Sequence, residues 1–151
     1  MTSVLFVCHG NICRSPMAQY VMQHLVDEAG LTDEFDIDSA AMTTEEIGNT
    51  PHRGTRRKLA EVGSPCGNHR ARLLTRADYE RFDHIVGMDA SNICGILRIL
   101  GSDPDGKVSK LMDFTARPHD VADPWYTGDF DATYRDVREG CEALLARCLE
   151  G

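Results

Sequence analysis

A short apolar run, Val4-Leu5-Phe6-Val7, leads into Cys8-His9-Gly10-Asn11-Ile12-Cys13-Arg14-Ser15 and then into Pro16, which opens an amphipathic stretch. A continuous apolar run of this length suits a strand buried on both faces. Proline suits the first turn of a helix, where its missing N–H costs nothing. The segment between them reads as a strand-to-helix turn, with Cys8 at the strand tip and Arg14 at the helix mouth. Helix N-termini present unpaired N–H groups and a partial positive charge, and a curled run of amides adds more donors, so this turn suits one tetrahedral oxyanion. Gly10 and Asn11 tolerate the left-handed backbone of a tight curl. Arg14 supplies a planar fork that matches two phosphate oxygens, which lysine cannot reproduce. The same positive field favours the thiolate of Cys8, and Ser15 can donate its hydroxyl to that sulfur. The implied chemistry is phosphate-ester cleavage through a covalent thiol intermediate. A structural cysteine beside a surface arginine is the bland alternative.

The rest of the chain alternates strand and helix. Ser3 to Cys8 reads as the first strand. The helix opened by Pro16 carries Met17, Val21 and Leu25 on one stripe and stops at Gly30. Phe35 to Ser39 alternates as a second strand, and Thr50-Pro51 reads as cap and first residue of a helix ending at Gly63. Phe82 to Met88 is a third strand, followed by a helix capped by Asp89 or Ser91 with Ile93, Ile96, Leu97 and Leu100 on its apolar face. Val108 to Met112 is a weaker fourth strand. Phe130, Tyr134, Val137, Cys141, Leu144 and Cys148 then step by four and three along a long C-terminal helix, where the two cysteines serve packing. This alternation predicts a single α/β domain over residues 1–151, a parallel sheet with helices on both faces. Ligands in such sheets sit beyond the carboxyl ends of the strands, so Cys8, Ser39 and Asp89 should gather at one edge.

Bulk properties narrow the partners. A chain of 151 residues fits one ordinary core. No apolar run approaches the ~20 residues needed to cross a bilayer, and no basic region precedes the first apolar segment as in a signal peptide; the expectation is a cytoplasmic protein with no membrane partner. Six cysteines without an export signal should be free thiols, and the lack of any Cys-x-x-Cys pair argues against structural zinc. A net charge of −8 argues against nucleic-acid binding. The glycine patterns of dinucleotide and nucleoside triphosphate sites are absent, so neither cofactor nor metal is expected. The lack of an apolar tail points to a monomer.

Val7-Cys8-His9-Gly10-Asn11-Ile12-Cys13-Arg14-Ser15-Pro16-Met17-Ala18 resembles the signature of the low-molecular-weight protein tyrosine phosphatases. The likeness extends through Asp38-Ser39-Ala40, His69-Arg70-Ala71-Arg72, Met88-Asp89-Ala90-Ser91-Asn92 and Asp123-Pro124-Trp125-Tyr126. It implies a four-stranded parallel sheet ordered 2-1-3-4, the flavodoxin-like phosphotyrosine protein phosphatase I fold. It also implies hydrolysis of phosphotyrosine in a protein or peptide, with inorganic phosphate as product, Cys8 as nucleophile and Arg14 as clamp. Expelling a phenolate whose conjugate acid has a pKa of about 10 calls for a proton donor. From the residues alone Asp123, Asp120 and Asp129 remain open; Asp123 precedes Pro124, which biases it to extended backbone, and Trp125 and Tyr126 follow as walls for a flat substrate. Resemblance to the family's Asp-Pro-aromatic motif selects Asp123 as acid and later as base. It also implies that Asn11, Ser15, Ser39 and His69 brace the loop. Cys13 is either a redox partner for Cys8 or a small packing residue at the loop base, and the family uses the pair for redox protection.

Two positions depart from the family's commoner pattern. His9 stands where leucine or threonine is usual, and Glu45 where vertebrate members tend to carry an aromatic side chain, so one rim of the cleft should be acidic. Trp125 replaces the usual tyrosine and keeps an aromatic wall. The rival readings are thiol-dependent arsenate reduction and phosphoarginine hydrolysis. Arsenate reductases relay electrons through two further cysteines close in sequence, whereas Cys66 and Cys94 lie 28 residues apart. Phosphoarginine phosphatases tend to place threonine at the position of Ile12.

Overall fold

In the computed structural model, which describes residues 1–150, the first strand, β1 (Thr2–Cys8), occupies the interior of a four-stranded parallel sheet. Its neighbours are β2 (Phe35–Ala41) on one side and β3 (His84–Gly87) on the other, with β4 (Val108–Lys110) beyond β3, giving the order 2-1-3-4. Val4, Phe6 and Cys8 face one layer and Leu5 and Val7 the other, which is why this strand needs an unbroken apolar run. On the first face α1 (Arg14–Glu28) and α6 (Phe130–Glu150) pack with Leu59 of α2 (Arg53–Glu61). On the other face α3 (Arg76–Arg81) and α4 (Ala90–Leu100) pack through Tyr79, Ile96 and Leu100. Cys8 pairs in register with Ala41 and Val7 with Gly87, so the strands end together at one edge. The chain leaves β1 there and turns into α1.

Several boundaries differ from the sequence reading. α2 begins after His52 rather than at Pro51, because the His52 Nδ1 accepts the Gly54 N–H at 3.0 Å and serves as the cap. Gly63 does follow the helix end, at φ 71°. β3 is shorter than Phe82–Met88: the Met88 N–H is taken by the Asn92 side chain at 2.9 Å, and Phe82 closes α3 instead. β4 stops at Lys110, where the Asp113 carboxylate accepts the Lys110 N–H at 3.1 Å and winds Leu111–Phe114 into a 3₁₀ turn. On α4 the buried line runs through Asn92, Ile96 and Leu100, while Leu97 is 37% exposed. Gly95 shares that buried face because the Met42 sulfur fills the place of a side chain there. On α1, Met22 and Val26 are buried and Leu25 is only half-buried.

Two short helices had no sequence forecast. α3 is fixed at its start by Asp78, whose Oδ2 accepts the Thr75 N–H at 2.9 Å and the Thr75 hydroxyl at 3.2 Å. α5 (Pro124–Thr127) is a single turn with Asp123 as its cap and Pro124 as first residue. Among the described residues no helix is long and apolar enough to cross a membrane.

Candidate active site

Cys8 ends β1 with its side chain buried, and the chain then curls through Gly10–Cys13 before α1 starts. Asn11 takes φ 60° at the crown of this curl, the one residue other than glycine with positive φ among those described. Asparagine tolerates that region because its short side chain bonds locally, and here every polar atom of it is used. Its Nδ2 donates to Ser15 Oγ at 2.8 Å and to Ser39 Oγ at 2.9 Å. Its Oδ1 pairs with His69 Nε2 at 2.8 Å and accepts the Arg72 N–H at 3.3 Å. The side chains of Ser15 and Ser39 are wholly enclosed.

The direction of these bonds has a chemical result. Because Ser15 Oγ already accepts from Asn11, its single proton is free for Cys8 Sγ, 3.0 Å away. The Ser15 N–H also points to that sulfur at 3.5 Å. Ser39 passes its own proton to Gln19 Oε1 at 2.5 Å. Burial pushes the His69 imidazole below its ordinary range, against the pull of Asp38 and with the help of Arg72. A neutral ring that donates from Nε2 to Asn11 completes the chain of donors running from His69 to the Cys8 sulfur.

The backbone N–H groups of Gly10, Asn11, Ile12 and Cys13 make no hydrogen bond to another described residue. Gly10, Ile12 and Cys13 line one pocket with Arg14, whose side chain is 3% exposed. Its Nη1 donates to Asp89 Oδ2 at 2.7 Å and to the Val121 carbonyl at 2.8 Å, while Nη2 stands 3.4 Å from Asp123 Oδ2. Nη1 is thus anchored from behind, leaving the Nε/Nη2 edge of the fork for a bidentate oxyanion contact. Burial works against the guanidinium charge, but the Cys8 sulfur, Asp89 and Asp123 outweigh it and raise its pKa. Asp89 bridges two tasks, capping α4 through Oδ1 at 2.8 Å from the Asn92 N–H and holding Arg14 through Oδ2.

A pocket of about 290 Å³ opens above the loop, lined by His9, Ile12, Cys13, Glu45, Glu46 and Asp123 with Trp125 and Tyr126, and with Cys8, Gly10 and Arg14 at its base. His9 and Glu45 meet across its lip at 2.8 Å. Trp125 is 59% and Tyr126 84% exposed. Of the three competing aspartates only Asp123 reaches the pocket. Asp120 pairs with Lys110 at 3.0 Å and Asp129 caps α6 at the Ala132 N–H, 2.9 Å away. Asp123 is held by the Trp125 N–H at 3.1 Å. Cys13 is buried, and burial, with the Cys8 and Asp123 charges, pushes its thiol up to about 12. All six cysteines are free thiols.

The structure therefore brings the loop residues, Ser39, Glu45, His69, Asp123, Trp125 and Tyr126 together at one edge of the sheet and leaves Asp120 and Asp129 outside the pocket. It adds Gln19, Asp38, Arg72 and the Val121 carbonyl, and it joins Asp89, already expected at this edge, to Arg14. Gln19 lies one turn beyond Ser15 on α1, a spacing that is legible in sequence; the others come from remote segments. Among the described residues no group of three or more His, Cys, Asp or Glu side chains is placed to hold a metal ion.

A strand-end cysteine and a buried arginine joined by an amide-lined curl under an Asp-Pro-aromatic turn define a thiol-based phosphatase class of site. Residues 3–150 match the family model for low molecular weight phosphotyrosine protein phosphatase, and the chain belongs to that family. It is 40% identical over 148 residues to the low molecular weight protein-tyrosine-phosphatase YfkJ of Bacillus subtilis, covering 97% of this chain and 95% of that protein. The crystal structure of YfkJ superposes with a TM-score of 0.95 at 39% identity, covering 99% and 96% of the two chains. The low molecular weight phosphotyrosine protein phosphatase of Rattus norvegicus is 36% identical over 150 residues, covering 96% and 94%. DARP, the Drosophila arginine phosphatase, shares the fold with a TM-score of 0.88 at 32% identity, with 97% of each chain covered.

Proposed function

We propose that the protein hydrolyses phosphotyrosine in protein substrates in two steps through a phosphocysteine on Cys8. The carrying observation is that one pocket of about 290 Å³ is lined at once by Cys8, Arg14, Asp123 and two aromatic side chains. The Cys8 thiolate attacks phosphorus in line, and the free loop amides and the Nε/Nη2 edge of Arg14 hold the equatorial oxygens. As the P–O bond breaks, Asp123 gives its proton to the departing phenolate. Asp123, now a carboxylate, takes a proton from water; the water oxygen attacks phosphorus, the S–P bond breaks, and inorganic phosphate leaves. Cys8 returns as thiolate and Asp123 as acid, so the cycle needs no cofactor or metal. The Ser15 hydroxyl stabilises the sulfur anion before attack and again as the S–P bond breaks. Asn11, Ser39 and His69 act by fixing Ser15 and the loop.

All of these groups come from one chain, which supports action as a monomer. A nucleophilic free thiol needs a reducing compartment, which supports a cytoplasmic site of action. Cys13 serves as a resolving thiol: once peroxide has converted Cys8 to a sulfenic acid, the Cys13 thiol condenses with it, forming the disulfide and releasing water. Equal recovery of activity by wild type and Cys13→Ser after peroxide followed by dithiothreitol would refute that role.

Ile12 supports phosphotyrosine over phosphoarginine, the alternative that the Drosophila relative's title of arginine phosphatase raises, since it lines the pocket and offers no hydroxyl. The test sets phosphotyrosine peptide, phosphoarginine protein and arsenate side by side. Wild type should release phosphate from the first. Cys8→Ser should be inactive, and Asp123→Ala should lose about 10²–10⁴ in rate. A full-rate Asp123→Ala enzyme would remove the acid from the scheme, and an active Cys8→Ser enzyme would remove the intermediate.

A further inference from the structure

One aromatic layer from the phosphate pocket lies a second groove of about 400 Å³, with His52, Arg53, Arg57, Lys58, Asp129 and Phe130 in its wall. The partition is His52, whose ring meets Trp125 edge-on at 5.9 Å and stacks on Phe130 at 5.5 Å. Trp125 is at the same time a wall of the phosphate pocket. The groove is therefore continuous with the rim over which a bound peptide would run.

Charges in the groove are unevenly committed. Lys58 is held by Asp131 at 2.6 Å and Glu61 at 3.2 Å, and Asp129 is occupied in capping α6. Arg53 and Arg57 stand one turn apart on the exposed face of α2, and among the described residues neither has a carboxylate within 4.0 Å. Their neighbour Arg56 differs, since its Nε donates to the Pro51 carbonyl at 3.1 Å. The first turn of α2 contains no acidic residue, so the positive end of that helix adds to the field of the two arginines. Other exposed arginines of this chain also lack a carboxylate partner; what sets Arg53 and Arg57 apart is that both line a groove one aromatic layer from the phosphate pocket, in a chain of net charge −8.

We propose that this groove is a second anion subsite, in which Arg53 and Arg57 bind an acidic side chain of the same segment that carries the phosphotyrosine. The inference rests on the phosphatase reading above and names its substrate class. An extended peptide advances about 3.3 Å per residue, so a side chain two to four residues from the phosphotyrosine crosses the His52–Trp125 partition. The guanidinium fork accepts a carboxylate or a second phosphate alike. Each contact is an exposed ion pair of modest strength; two together should change kcat/KM about three- to tenfold, through KM.

The test uses the full chain with p-nitrophenyl phosphate and four phosphotyrosine peptides. These carry neutral flanks, glutamates two to four residues before the phosphotyrosine, glutamates two to four residues after it, and a phosphoserine on the side the glutamates favour. Wild type should prefer one acidic arm over the neutral peptide by about three- to tenfold, and salt should erode the preference. R53A/R57A should abolish it while hydrolysing p-nitrophenyl phosphate at the wild-type rate, and R53E/R57E should invert it. The phosphoserine arm names the source: a gain beyond glutamate assigns a second phosphate, and equal or smaller gain assigns a carboxylate. If wild type cleaves all peptides equally, or if the preference survives in R53A/R57A, the subsite is refuted and the phosphatase reading stands. If neither p-nitrophenyl phosphate nor any peptide is cleaved, the phosphatase reading itself fails.

Discussion

The floor and the rim of the pocket are built by opposite means. On the floor Asn11 is 1% exposed and Ser15 and Ser39 are fully buried, and each of their polar side-chain atoms has a partner, within the loop or from the remote Ser39 and His69 segments. At the rim Tyr126 is 84% exposed, and Glu45 meets only His9, also at the surface. Leaving one buried donor or acceptor unpaired costs about 1–3 kcal/mol, whereas exposed substitutions stay within about 0.5 kcal/mol. The floor therefore has a single geometry and the rim many. Chemistry is assigned to the part that cannot adjust, and recognition to the part that can.

The sharpest way to break this contrast is at Asn11. Asn11→Ala forces a Cβ residue to hold φ near 60° and strips partners from Ser15, Ser39 and His69. We expect kcat to fall about 10²–10³, the loss seen when one preorganised donor is removed from a catalytic site, together with a lower Tm. Asn11→Gly separates the two causes, because glycine adopts positive φ freely. A Gly variant as poor as Ala assigns the loss to the network, and a Gly variant at full rate assigns it to the backbone alone.

That floor was only partly legible in the sequence. The spacing of Cys8 and Arg14 between an apolar run and Pro16 is local information, and strand-to-helix geometry follows from it. Asp89 was readable as one of two candidate helix caps, with Ser91, but its grip on Arg14 joins residues 75 apart in the chain. The Val121 carbonyl is 107 residues from Arg14, and no pattern in side-chain types marks a carbonyl as a ligand. α3 and α5 escaped because each is held by its cap rather than by a periodic apolar stripe. β4 was drawn too long because Leu111 and Met112 carry apolar strand character while their burial comes from a 3₁₀ turn. There Leu111 fills the space that Gly140 leaves on α6.

A smaller effect is expected at His69, and it carries a sign. Its pKa is lowered in the folded protein, with burial as the main cause. The unfolded chain therefore binds a proton more readily, and the contribution of His69 is full above about pH 6.5. It is lost as pH falls through the folded value. The urea midpoint of wild type should drop between pH 7 and 5, and His69→Gln should show a shallower drop over the same range. The half-buried His84, whose pKa is also lowered by desolvation, leaves a residual slope in both proteins. Identical slopes would mean that His69 does not sit neutral against Asn11.

The rim should give the smallest effect and a different kinetic pattern. Tyr126→Ala removes an exposed aromatic wall that makes no hydrogen bond to the floor. Loss of one aromatic contact to a phenyl ring is worth about 0.5–1.5 kcal/mol, so KM for a phosphotyrosine peptide should rise about two- to tenfold. kcat and Tm should hold, because the loop, Arg14 and Asp123 keep their partners. Phosphate or vanadate, which lack a ring, should inhibit wild type and variant equally. A fall in kcat or weaker vanadate inhibition would mean that the rim helps to set the phosphoryl geometry. In that case Trp125 is the route, because its N–H holds the Asp123 carboxylate at 3.1 Å and Tyr126 is its immediate neighbour on α5.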